Sequence, residues 1–100
     1  MKEIKHIVED IREELEGAEH YAKVAAKMKS EDPTSSSVYA EMARQELGHV
    51  DNLHKLAVRA IDKQRASGVV PPASMQAVWD WEHEMMMDKM AHIKTLLSMA

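Results

Sequence analysis

Ser30-Glu31-Asp32-Pro33-Thr34 decides the fold, because it interrupts two long amphipathic repeats after only a few residues. Asp32 suits the cap of a following helix, and Pro33 suits its first turn, where no amide donor is needed. Upstream, Ile4, Ile7, Val8, Ile11, Leu15, Ala18, Ala22 and Ala25 recur at helical spacing with charges opposite, so a helix is expected over about 2–29. Downstream, the second helix runs over about 33–66. Gly68 offers the left-handed conformation that ends helices, and Pro71-Pro72 forbids continuation. A third helix is expected over about 73–99. Two long helices joined by so short a break form an antiparallel hairpin, and the third packs across or beside them. The fold class is therefore all-α, one domain over 1–100.

Helix three is apolar on two sides. Val78, Trp81, Met85 and Leu96 mark one, and Trp79, Met86, Met90, Ile93 and Leu97 the other. A helix on the surface of a monomer needs one such face. The second is expected to meet another subunit, which points to a homo-oligomer. Met85-Met86-Met87 cannot converge on one soft ion, because consecutive residues point three ways round a helix; packing explains them better.

Composition excludes several function classes. There is no cysteine, hence no disulfide framework and no thiolate site. A formal charge of −4, with no basic cluster and interleaved aromatics, argues against nucleic acid. No run approaches a membrane span or a signal peptide, so a soluble cytoplasmic protein is expected. The serines cluster at Ser35–Ser37 without a positioned base, which disfavours a nucleophilic enzyme.

The chemistry lies in helix two. Glu46 shares an arc with Tyr39, Met42, Val50, Leu53, Ala57 and Ala60, and His49 is its neighbour one turn on. A carboxylate buried there costs several kcal/mol unless it is compensated, about 1–3 kcal/mol even for a neutral polar group. A divalent metal supplies that compensation and also accounts for the histidine. The other Glu-x-x-His pair, Glu3–His6, lies near the edge of its stripe and reads as surface. Two ligands hold an ion poorly, so helix one should add another from Glu13-Glu14-Leu15-Glu16-Gly17-Ala18-Glu19-His20-Tyr21. Glu14 falls inside the apolar arc, Glu16 projects to the flank, Glu13 points away, and Glu19 at the opposite edge is the main rival. A modest rotation of the helix exchanges Glu14 with Glu16 or Glu19. Tyr21, two turns after Glu14, is placed to reach a metal-bound carboxylate or the paired helix with its hydroxyl. Asp88 and His92 on helix three read more readily as a helix ion pair than as ligands. His54, His83 and Glu84 read as surface or outlying positions.

Glu14, Tyr21 and Glu46-x-x-His49 on two antiparallel helices resemble the half-site of the ferritin-like di-iron carboxylate proteins, over about residues 10–60. In the full-length bundle four helices supply two such sets. A chain with one set is similar to the encapsulated-ferritin branch, and to small phage- and gut-bacterium-type ferritin-like proteins. The resemblance implies a dimeric four-helix bundle, or a larger ring-like homo-oligomer, holding a di-iron ferroxidase centre between subunits. It implies Glu14, Glu46 and His49 as iron ligands and catalytic residues, Glu13 and Glu16 as an entry site, and Tyr21 behind the ligands. It also implies an encapsulin-type cage as partner and compartment; no targeting extension of the usual kind follows helix three, which counts against the cage here. His20 stands where the family tends to have an aromatic. Two copies of the set carry four carboxylates, which two ferrous ions balance. A metal-free helical assembly module, and a manganese or zinc binder without redox turnover, are the rival expectations.

Overall fold

The computed structural model describes residues 2–68 and 73–100. Three helices make up the fold: α1 (Lys2–Met28), α2 (Pro33–Ala66) and α3 (Ala73–Ser98), with no strand among the described residues. Their limits lie within a residue of those expected from the sequence. The Pro71-Pro72 break falls outside the described residues.

Local chemistry sets the ends of α2. The Asp32 carboxylate accepts from the Ser35 backbone N–H at 3.1 Å and from its hydroxyl at 2.6 Å, and Pro33 opens the first turn. At the other end Gly68 takes a φ of 81°, a conformation costly for any residue with a Cβ.

Contacts pair Ala25 with Ser36, Tyr21 with Tyr39 and Glu14 with His49, so α1 and α2 run antiparallel. Ala18, Ala22 and Ala25 of α1 and Ala43 and Ala57 of α2 are fully buried. Such small side chains let the two helices approach closely. The buried Ser36 hydroxyl donates to the Ala25 carbonyl at 2.7 Å and ties the hairpin near its turn. Ser36→Ala is expected to cost about 1 kcal/mol, read as a lower urea midpoint with an unchanged slope.

The third helix packs chiefly on α1 and runs parallel to it, with Arg12 paired to Glu82 and Glu19 facing His92 at 4.0 Å. Met86 and Ile93 join the core formed by Ile7, Ile11, Leu15 and Val50, and Trp79, Met90 and Leu97 pack against it. Of the other expected face of α3, Leu96 packs against the core, whereas Val78, Trp81 and Met85 are half or more exposed, Trp81 and Met85 at the edge of the groove against α1. The three consecutive methionines diverge as expected, with Met86 buried and Met85 and Met87 exposed. Among the described residues, no helix is long and apolar enough to cross a membrane.

Candidate metal centre

The close approach of α1 and α2 brings Glu14, Glu46 and His49 together. One donor atom from each lies within 4.8 Å of the others, a spacing that can hold one ion. His49 Nδ1 stands 3.3 Å from a Glu14 carboxylate oxygen. The remaining acidic residues of α1 go elsewhere. Glu13 is exposed. Glu16 and Glu19 line a groove of about 620 Å3 against α3, where Glu19 also meets Lys23 at 3.4 Å. Five residues separate Glu14 from Glu19, about 140° round the helix, so the two cannot serve the same side. The geometry thus selects Glu14 as the α1 partner of Glu46 and His49.

Two expectations need correction. Glu46 was read as a buried carboxylate, yet it is half-buried, and the His49 side chain is 55% exposed. The reason is that α3 covers the flank of α1 carrying Val8, Arg12 and Glu19, leaving the opposite α1–α2 flank open. Tyr21, expected to reach a carboxylate or the paired helix with its hydroxyl, meets the paired helix through its ring instead, which packs against Tyr39 with centroids 6.1 Å apart, and no hydrogen bond joins it to Glu14 or Glu46 among the described residues. Asp88 and His92 form no ion pair with each other; both line the α1–α3 groove, away from the Glu14 cluster. Glu84 is exposed, and Glu3 and His6 are at the surface, His6 pairing with Asp10 at 3.6 Å.

No family model, curated protein or solved structure matches this chain. The geometry therefore carries the functional reading by itself.

The two carboxylates of the cluster shift one another in opposite directions. The hydrogen bond to Glu46 holds the Glu14 carboxyl below its ordinary range, against a smaller upward push from burial, and His49 adds to the lowering. The same hydrogen bond pushes Glu46 up, reinforced by burial and the Glu14 charge and partly offset by His49. Of the two, Glu46 takes up a proton the more readily. A cation between them would relieve their mutual repulsion when both are ionised.

A raised carboxyl has a definite sign in stability. Glu46 favours the folded state while both folded and unfolded forms hold the proton, and that favour is lost as pH rises from 4.5 through its raised value. In the metal-free protein, Glu46→Gln keeps a donor for Glu14 and cannot ionise. Thermal melts should show it matching the parent below pH 4.5 and exceeding it at neutral pH.

Gly17 was not singled out from the sequence. A Cβ built on it would lie 3.3 Å from a Glu46 carboxylate oxygen, so its bare backbone leaves room for that group. The signal was present: an isolated glycine inside a helical repeat costs about 1 kcal/mol against alanine and marks a close approach. Gly17→Ala should stabilise the metal-free fold by about 0.5–1 kcal/mol. It should also weaken metal binding, measured by titration, because the methyl group confines the carboxylate.

Proposed function

We propose that this chain is an iron-binding protein of the ferritin-like di-iron type, whose centre is shared between two copies. The observation that carries the reading is the convergence of Glu14, Glu46 and His49 on an open flank of the hairpin. Three protein ligands at an exposed site leave an ion half-enclosed. A second copy related by a two-fold axis brings the same three residues to the other side and completes a four-helix bundle.

Two further features support this arrangement. Val38 and Leu56 lie within about 20° of His49 round α2, and both are about half exposed, so the flank carrying the cluster is apolar at its margins. The four carboxylates of a paired centre match the charge of two ferrous ions, and oxygen-rich ligation favours the ferric state. Ferrous iron is the substrate and oxygen the electron acceptor. Within the chain, Glu14 and Glu46 bind and neutralise the ion, a proton held by either carboxylate leaves as metal enters, and Gly17 keeps the space for Glu46. Glu13, exposed on α1, is the better placed of the two proposed entry carboxylates, since Glu16 turns toward α3.

Anaerobic ferrous loading followed by oxygen tests the activity. The expected result is a near-ultraviolet absorbance rise faster than autoxidation in buffer. Bound metal with no change beyond that background would sink the oxidase reading and leave a manganese- or zinc-type binder.

A second reading has one observation in its favour. Glu14 already bonds both Glu46 and His49, so the cluster has internal partners without a metal. On that reading the chain is a helical assembly module, and its dimer persists under chelation with no metal bound.

A further inference from the structure

His54 of α2 and His83 of α3 were both read from the sequence as outlying, and the structure brings their rings together. Their ring centroids are 5.5 Å apart and the planes tilt by 36°, with the Trp79 ring 6.3 Å from His83. Both side chains are half-buried, and neither imidazole has a hydrogen-bonding or ionic partner among the described residues. We propose that His54 and His83 form a second metal site, which clips α3 to α2 with a divalent transition ion that prefers nitrogen ligands.

The argument is geometric. An imidazole bound through one ring nitrogen holds its centroid about 3.2 Å from a zinc ion, because the Zn–N bond is about 2.0–2.1 Å. Two such rings at a tetrahedral angle have centroids about 5.2 Å apart, and widening that angle to about 120° gives the observed separation. The centroid separation therefore matches that of two imidazoles bound to one ion. The site is open enough for entry, since no buried side-chain polar atom here is sealed without a partner. Two imidazoles alone hold an ion weakly; Asp51, three residues before His54, and Met87, four after His83, are exposed one turn away on the same helices, and water fills the remaining positions. Imidazoles suit zinc, copper and nickel, whereas the carboxylate-rich Glu14 cluster suits harder ions. The two sites thus differ in chemistry as well as in place.

The location gives the ion a structural consequence. α3 packs mainly on α1 and meets α2 only sparsely, so an ion held by His54 and His83 adds a tie where the packing is thinnest. Binding to the folded state alone raises the melting temperature, and the rise continues with the logarithm of the free ion concentration above Kd.

The test is calorimetric titration with zinc chloride in the Glu46→Ala, His49→Ala protein, where the carboxylate cluster cannot contribute. One zinc per chain is expected, with a higher melting temperature. His54→Gln or His83→Gln should each weaken binding by about tenfold or more, as loss of one of two anchoring ligands requires. Zinc binding unmoved by either substitution, or no binding at all, would overturn the proposal. Imidazole ring resonances in the unsubstituted chain give an independent reading that needs no variant to fold. Those of His54 and His83 should shift together on zinc addition; a response confined to the other histidines would overturn it equally.

Discussion

Glu46→Ala is expected to cost the protein its bound iron and leave its three helices standing. Glu46 supplies one of only three converging donors, and its α1 partner Glu14 would keep a single histidine beside it. Loss of an outlying support for a metal ligand costs about 10–100-fold in affinity, and loss of a ligand itself should exceed that. The fold has little to lose, because Glu46 is half-buried and touches the space over Gly17 rather than the alanine seam. Removing one of two opposed carboxylates should even raise the metal-free melting temperature. Iron titration read beside circular dichroism separates the cases. Undiminished iron binding would remove Glu46 from the site, and collapse of the helices would give it a structural role instead.

The second large effect concerns the proposed dimer. Val38→Glu combined with Leu56→Glu places charges on the margins of the flank that carries His49, and touches none of the three ligands. Fully burying a valine or leucine is worth about 1.5–3 kcal/mol, and a two-fold interface counts each position twice. Even partial burial lost at four positions exceeds about 4 kcal/mol, so dimer affinity should fall about a thousandfold. Sedimentation should show a monomer, and oxygen-dependent iron oxidation should vanish with every ligand intact. An unchanged dimer would move the interface elsewhere, with the open Val78, Trp81 and Met85 side of α3 the first alternative. Monomers that oxidise iron at the parental rate would contradict a centre shared between copies.

How much of this was legible in the sequence varies with the range of the interaction. Asp32, Pro33 and Gly68 announce the ends of α2 because capping and left-handed backbone are local chemistry. That the acidic run of α1 meets the Glu46 and His49 pair was readable, since one hairpin fixes which turns of α1 and α2 face each other, but the choice of Glu14 over Glu16 or Glu19 waited on the rotation of α1 that the structure shows. The flank that α3 would cover was not readable. α1 is apolar over a wide arc, with Val8 and Leu15 toward one side and Ile7 and Tyr21 toward the other, so either flank offered a seat. That choice decides whether the carboxylates are buried or open. The meeting of His54 with His83 was out of reach for the same reason, because it depends on where α3 lies and not on any spacing within one helix.

The most direct test of the shared centre is iron per chain, measured by elemental analysis on protein loaded aerobically and passed through gel filtration, together with its mass in solution. The account predicts about one iron per chain in a dimer or larger assembly, matching the charge of one paired set of carboxylates. An equally well-assembled oligomer carrying no iron would contradict it.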